Sequence, residues 1–196
     1  GVRSRFKLSN LVELWMRFLF YTIIITIFVA IKNPDSINWK QWLGALFPVL
    51  SKQYWYFTVY TGAFMFFPIL NLALEKMERK QIEKILLAMM VMFSLFSTIF
   101  QTIYKSDIFI LNDGYSVWWL VVLYLLGGYI GKYGILKTWR RRHLLEGYLI
   151  LSICSCIIQI VLDDWARQMR GMTDAYCYMI YLSPTVMVAA VLLFLL

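Results

Sequence analysis

The sequence predicts an all-α protein, built as a polytopic bundle of membrane helices. Of its 196 residues, 61% are hydrophobic and 15% are charged, whereas soluble domains average about 45–50% apolar and about 25% charged residues. The apolar residues are also gathered into long runs that are almost free of charge. From these runs we expect about six membrane spans, the last of them truncated, within a single transmembrane domain over residues 1–196.

The run from Tyr54 to Leu74 is the one around which the other elements are organised. It has 21 residues and no charge, and as a helix it would extend about 31 Å, enough to cross a bilayer. Pro68 lies inside it and leaves the carbonyl of Phe64 without its usual helical partner. Asn71 follows on nearly the same face. We expect a Pro-kinked span in which Asn71 is satisfied by a neighbouring helix or lines a polar cavity.

The first predicted span runs from Leu11 to Ile31. Glu13 and Arg17 lie near its start at i,i+4 spacing, in the order that favours an ion pair on a helix. Such a pair either reaches towards the membrane surface as a neutralised unit or turns a polar group towards a pocket. Both interpretations stay open from the sequence.

The segment between the first two spans has an amphipathic pattern of its own. Large apolar residues recur there at helical spacing, namely Trp39, Trp42, Leu43, Leu46 and Phe47. This pattern predicts a short helix that lies in the membrane interface and ends at Pro48.

Three further apolar runs predict spans over Ile85–Tyr104, Tyr115–Ile130 and Leu144–Leu162. Residues 75–84 are predicted to form a charged loop, and residues 163–183 a mixed loop. Gly127 and Gly131 form a G-x-x-x-G pattern, which permits close approach of two helices. A last run, opened by Pro184, is too short to cross a bilayer, so we expect the chain to be an internal part of a longer protein.

The basic residues are distributed unequally between the two predicted sides of the membrane. If the spans alternate, six lysine and arginine residues lie on one side and twelve on the other, namely Arg3, Arg5, Lys7, Lys76, Arg79, Lys80, Lys84, Lys132, Lys137, Arg140, Arg141 and Arg142. The positive-inside rule then places the start of the chain in the cytosol. Topology therefore explains the net charge of +8, and we expect no nucleic-acid partner.

The sequence shows no complete set of residues for a familiar catalytic or metal site. It has three cysteines and one histidine, without the spacing of a disulfide framework or a zinc site. His143 stands beside three arginines and is expected to be an exposed loop residue. The catalytic residue is therefore unknown from this sequence, and we expect no metal.

Three stretches together resemble the acyltransferase-3 family of integral-membrane O-acyltransferases, in particular its capsule and exopolysaccharide branch. The first, FPVLSKQYWYFTVYTGAFMFFPILN, is similar to the family's aromatic, tyrosine and Pro-x-x-Asn pattern, here Trp55, Tyr60, Pro68 and Asn71. The others are the aromatic span GYSVWWLVVLYLLGGYIGKYG and the closing YLSPTVMVAAVLLFLL. The resemblance covers most of the chain.

The resemblance implies a bundle of about ten membrane-crossing helices, of which this chain would hold the third to the eighth. It implies transfer of an acyl group, most often acetyl from cytosolic acetyl-CoA, to a hydroxyl of a cell-surface polysaccharide or a lipid-linked glycan. The expected catalytic histidine lies upstream of Gly1. No permanently bound cofactor is expected, and the chain alone is expected to be inactive.

The resemblance also implies a multi-pass protein of the cell membrane of a bacterium. Arg17, Trp55, Tyr60 and Asn71 are candidate substrate-binding residues. CoA phosphates need cytosolic cations, and Arg3, Arg5 and Arg140–Arg142 are available on that side. The alternatives are a transporter or flippase of lipid-linked saccharides, which should show internal repeats or paired broken helices, and a membrane scaffold without chemistry.

Overall fold

The computed structural model describes residues 8–34, 38–47, 55–104, 106–134, 139–170 and 180–196. Predictions about Arg3, Arg5, Lys7, Pro48 and Lys137 concern residues outside this part of the chain. The described residues contain no strand and form nine α-helices, which confirms the all-α class: α1 Leu8–Lys32, α2 Trp39–Leu46, α3 Trp55–Phe64, α4 Phe67–Lys76, α5 Arg79–Met90, α6 Ser97–Tyr104, α7 Val117–Tyr133, α8 Arg141–Arg170 and α9 Pro184–Phe194.

Several of these helices are long and apolar enough to cross a membrane. Three qualify alone, over Leu11–Lys32, Arg79–Tyr104 and Arg141–Trp165, and α3 with α4 qualifies as a bent pair. The apolar helices α7 and α9 are shorter. The described chain thus has the helices of a polytopic membrane protein.

The chain divides into two compact units, and the first extends to Leu70. Within it, the hydroxyl of Thr22 on α1 donates a hydrogen bond to the carbonyl of Ala45 on α2 over 2.8 Å. The ring of Phe18 on α1 stacks on Phe57 of α3 with centroids 4.6 Å apart. Helix α2, over Trp39–Leu46, confirms the short helix predicted between the first two spans. Its large residues, including Trp39 and Trp42, are exposed, and its place in the membrane interface stays a prediction.

The predicted interruption at Pro68 is confirmed. Helix α3 ends at Phe64 and α4 begins at Phe67, and the two helices are bent by 52°. Pro68 occupies the first turn of α4, where the missing N–H is tolerated because that turn has no intrahelical acceptor for it. The Phe66 carbonyl accepts the N–H of Leu70 over 3.0 Å and so starts the new helix. The run therefore consists of two helices with a break between them.

The predicted charged loop over residues 75–84 is wrong in its extent. Helix α4 continues to Lys76, and α5 already begins at Arg79. Glu78 caps α5 through a reciprocal pair of side-chain to backbone bonds with Gln81, and such boxes satisfy the first N–H groups of a helix. Arg79 and Glu83 then form an i,i+4 ion pair. The charged residues therefore support a helix start and not a loop.

The second unit begins at Asn71 and has a buried apolar cluster of Leu111, Trp119, Val122, Ile180, Leu182 and Met187. A π-helical segment, Val91–Phe96, joins α5 to α6 beside this cluster. Within it, the hydroxyl of Ser94 donates a hydrogen bond to the carbonyl of Leu182. A polar side chain thus ties the middle of this span to the loop that precedes α9.

Helix α8 is longer than the sequence predicts. It runs to Arg170 and takes in residues that were assigned to a loop starting at Asp163. Gln159 donates a hydrogen bond to Asp163 over 2.8 Å along the same helix, so this carboxylate is accommodated on the helix surface. Helix α9 packs on α8 through a bond of 2.7 Å from Ser155 to Thr185. Pro184 is the first residue of α9, as predicted.

Close approach of helices occurs at a different glycine from the two in the G-x-x-x-G pattern. Among the described residues, a Cβ added at Gly127 or Gly131 would meet nothing within 4 Å. A Cβ added at Gly128 would lie 2.4 Å from Cδ1 of Leu74. Gly128 therefore permits α7 to approach α4, and the interpretation of Gly127 and Gly131 as the contact pair is wrong.

Candidate functional site

Arg17 lies on the exposed surface of α1. Its Nη2 is 2.6 Å from Oε1 of Glu13, and the two side chains are 69% and 63% exposed. The predicted ion pair is therefore present. Both groups are exposed and neutralise each other. Keeping this ion pair at the surface of the first unit therefore has only a small free-energy cost.

Trp55 and Tyr60 belong to an aromatic row along α3 and the start of α4. Trp55 meets Tyr56 edge-on at 5.8 Å, and Tyr56 stacks with Tyr60 at 6.2 Å. Tyr60 also contacts Phe64 at 6.2 Å and Phe67 at 5.8 Å. Rings at i,i+4 spacing share one helix face, and this row continues across the helix break. It offers apolar ring faces together with phenolic hydroxyls, a combination suited to contact with sugar rings.

Asn71 lies in the second unit and has the partner that its position in an apolar run requires. The hydroxyl of Tyr124 on α7 donates a hydrogen bond to its Oδ1 over 2.8 Å. This bond confirms the prediction that a neighbouring helix satisfies Asn71. It fixes the carboxamide on the side of α4 that faces α7.

A group of polar and aromatic residues joins one end of α4, α5 and α7. We call Arg79, Glu83, Tyr129, Lys132 and Tyr133 the α5–α7 cluster. Tyr129 donates a hydrogen bond to Glu83, and Nε of Arg79 is 2.8 Å from Oε1 of the same carboxylate. The cations of Arg79 and Lys132 lie 5.4 Å and 5.1 Å from the centre of the Tyr133 ring.

Lys132 also extends the α5–α7 cluster to α4. Its Nζ donates a hydrogen bond to the carbonyl of Leu74. The last carbonyls of a helix have no intrahelical donor, so a cation from a neighbouring helix stabilises the end of α4. The cluster was not identified from the sequence. The i,i+4 pairs Arg79–Glu83 and Tyr129–Tyr133 were visible signals, but nothing in the sequence indicated that they would meet.

The hydrogen bond from Tyr129 to Glu83 gives a stability prediction. We expect Tyr129→Phe to lower the apparent melting temperature of the purified protein in detergent by about 2–4 °C, because Oε1 of Glu83 loses one of its two donors and keeps only Arg79. Tyr133→Phe is the matched control, because it keeps the ring that faces both cations. Equal effects of the two substitutions would contradict this role of Tyr129.

The arginines 140–142 lie at the start of α8 and are exposed. Nε of Arg142 is 2.8 Å from Oε1 of Glu146, and Nδ1 of His143 is 3.4 Å from its Oε2. His143 is exposed, as predicted, but it lies in the first turn of α8 and not in a loop. Cations at a helix N-terminus face the positive end of the helix dipole, so this location attracts an anion strongly. Glu146 offsets part of that charge.

The described residues hold no group of three or more histidine, cysteine or acidic residues that could bind a metal ion. Cys154 and Cys156 are exposed and free. Of the predicted site residues, Arg17, Trp55 and Tyr60 lie in the first unit and Asn71 and Arg140–Arg142 in the second.

The comparisons with known proteins add one finding. A protein-family model described as an acyltransferase domain, the acyltransferase-3 model, matches residues 2–196. No curated protein matches the chain, and no solved structure matches it.

Proposed function

The chain belongs to the acyltransferase-3 family of membrane acyltransferases, and on that premise we propose that it O-acylates a hydroxyl of a bacterial cell-surface or exported polysaccharide. The observation that carries this proposal is the family match over nearly the whole chain. The helical composition and the candidate spans support it. The proposed acyl group is acetyl, supplied by acetyl-CoA.

The proposed donor site is cytosolic. The excess of lysine and arginine in alternate loops supports an inner-membrane orientation with the start of the chain in the cytosol. In that orientation Arg140 and Arg141, exposed at the start of α8, face the phosphates of CoA. Arginine forks suit phosphate oxygens, and the N-terminus of α8 adds the backbone dipole. Arg142, paired with Glu146, completes the proposed set in the second unit. Arg3 and Arg5 are separate proposed phosphate contacts that belong to the first unit.

The proposed acceptor contacts come from each unit separately. In the first unit, Arg17 offers a charged donor, and Trp55 and Tyr60 offer rings against which a sugar can pack. In the second unit, Asn71 offers a carboxamide held by Tyr124.

The proposed reaction joins the hydroxyl oxygen of the sugar to the acyl carbon of the thioester. The proton of the hydroxyl passes to a base, the carbon–sulfur bond breaks, and CoA leaves as a thiolate that takes up this proton from the base to become the thiol. A histidine outside these residues is the proposed base or the nucleophile that carries the acyl group. His143 has neither role in this proposal, because it is an exposed neighbour of Glu146.

The experiment uses the full-length protein that contains this chain, in sealed membrane vesicles given radiolabelled acetyl-CoA and isolated surface polysaccharide. We expect label in the glycan, and loss of that label when the upstream histidine is replaced by alanine. His143→Ala is the control and should leave transfer unchanged. Uptake of saccharide without transfer of label would overturn the proposal and favour a transporter.

A further inference from the structure

Helix α6 carries polar atoms that the rest of the structure does not satisfy. Ser97 is 1% exposed and Thr98 is 4% exposed. Within the described part of the chain, neither their hydroxyls nor Oε1 of Gln101 has a hydrogen-bond partner. A buried polar atom without a partner carries a free-energy cost and calls for an explanation. Three such atoms lie within five residues of one apolar span.

Other hydroxyls on the helices of this protein make a hydrogen bond that the hydroxyls of Ser97 and Thr98 do not make. Thr26, Thr61, Thr102 and Ser152 each donate a hydrogen bond of 2.7–2.8 Å to the carbonyl four residues earlier. For Ser97 and Thr98, those carbonyls belong to the π-helical segment Val91–Phe96. Its wider turn displaces the carbonyls from α-helical register. The two hydroxyls therefore do not back-bond, and they keep their hydrogen-bonding capacity.

A row of polar side chains, formed by Ser97, Thr98, Gln101 and Asp113, leads from the two buried hydroxyls to an exposed loop. Gln101 is half-buried and its Nε2 donates a hydrogen bond of 3.2 Å to Oδ1 of the exposed Asp113. Gln101 follows Ser97 by four residues and Thr98 by three, so its side chain lies next to each of them on the surface of α6. The row thus begins at an exposed carboxylate and ends at two buried hydroxyls.

The loop that presents Asp113 is held in an unusual backbone conformation. Ile110, Asn112 and Asp113 have φ values of 53°, 49° and 57°, in the left-handed region that non-glycine residues seldom adopt. The carboxylate of Asp107 accepts the N–H groups of Leu111 and Asn112 over 2.9 Å and 2.6 Å and fixes this conformation. Strained backbone of this kind collects at functional sites.

We propose that Ser97, Thr98 and Gln101, with Asp113 at the exposed end of the row, bind hydroxyl groups of the acceptor glycan. This inference rests on the proposed function. The ligand class follows from the chemistry of the row: it has hydroxyls and a carboxamide, which both donate and accept, and one carboxylate, which accepts. A neutral polyol complements that set, whereas an anion would meet Asp113. The positive-inside pattern predicts that this loop lies outside the cytosol, where an exported glycan is found.

The test is kinetic and uses the full-length protein with the double substitution Ser97→Ala and Thr98→Val. We expect the KM for the acceptor glycan to rise about tenfold, because two hydrogen bonds to the ligand are lost. The KM for acetyl-CoA should not change. Ser152→Ala is the matched control, because its hydroxyl is already bonded to the carbonyl of Tyr148. An unchanged acceptor KM, or equal changes for donor and acceptor, would overturn the inference.

Two further measurements separate this inference from folding effects and from the proposed function. The double variant should melt at the same temperature or higher, because it removes two unsatisfied buried hydroxyls. A lower melting temperature would assign them a structural role instead. Binding of a radiolabelled oligosaccharide, released from the surface polysaccharide, needs no acyl transfer. Binding lost in the variant supports the site even where the wild type transfers no label, and binding retained overturns it.

Discussion

Gly114→Ala is expected to destabilise the second unit strongly. Gly114 has φ +99°, and an added Cβ would lie 2.6 Å from Cβ of Tyr181 and 3.3 Å from Cδ1 of Trp119. The strained backbone costs about 1–3 kcal/mol, and the overpacking costs about 1–3 kcal/mol more. Neither neighbour is the flexible end of a side chain. We expect a large fall in the apparent free energy of unfolding, measured by denaturation of the purified protein in detergent.

Gly127→Ala is the matched control for this substitution. A Cβ at Gly127 meets nothing within 4 Å among the described residues, and alanine is preferred to glycine inside a helix by about 0.5–1 kcal/mol. The two alanine variants should therefore shift stability in opposite directions. Comparable stability of Gly114→Ala and the wild type would show that the loop between α6 and α7 is not packed on Tyr181.

Gly128→Leu is expected to disrupt the packing of α4 on α7, and Gly127→Leu is expected to be tolerated. At Gly128 even a Cβ would lie 2.4 Å from Cδ1 of Leu74, and the remaining atoms of leucine have no room in that contact. Overpacking of this kind costs about 1–3 kcal/mol and sometimes more. Leu74 also receives the hydrogen bond of Lys132, so the end of α4 should loosen as well. Denaturation in detergent measures both variants.

The double variant Gly128→Leu with Leu74→Ala tests whether this contact is the cause. Each single substitution should destabilise the protein, the first by crowding and the second by leaving a cavity. Because one substitution makes the room that the other needs, the double variant should lose less than the sum of the two. Strictly additive losses would mean that Gly128 and Leu74 do not touch.

Much of the fold follows from local chemistry that is visible in the sequence. Pro68 interrupts its run because proline removes a backbone donor wherever it stands. Asn71 needs a partner from another helix because hydrocarbon offers none. Trp39 and Trp42 mark a short helix because their spacing matches the helical period. Each of these predictions depends on one residue type and its immediate neighbours.

The errors concern features that depend on how helices are rotated and joined. The G-x-x-x-G pattern identifies Gly127 and Gly131, but the rotation of α7 brings Gly128 to Leu74 instead. Charged residues over 75–84 suggested a loop, whereas the cap at Glu78 starts a helix there. Sequence spacing does not specify which face of a helix meets a neighbour, so these outcomes required tertiary contacts.

The residues of the candidate site were only partly predictable from the sequence. The exposed arginines at the start of α8 were visible as a run of charge. The α5–α7 cluster was not, because its residues come from separate helices and Lys132 bonds to a backbone carbonyl. The row on α6 was missed because serine and threonine in a span usually bond to their own helix. Only the π-helical segment reveals that Ser97 and Thr98 do not.

The most direct test of the proposed acylation is made on the product in the cell. Surface glycan would be purified from cells that carry the gene, cells that lack it, and cells complemented with it, and its O-acetyl esters quantified by NMR before and after mild alkali. We predict that the esters disappear with the gene and return with it, while the amount of surface glycan stays the same. Unchanged esters together with a loss of surface glycan would contradict an acyltransferase and indicate a transporter.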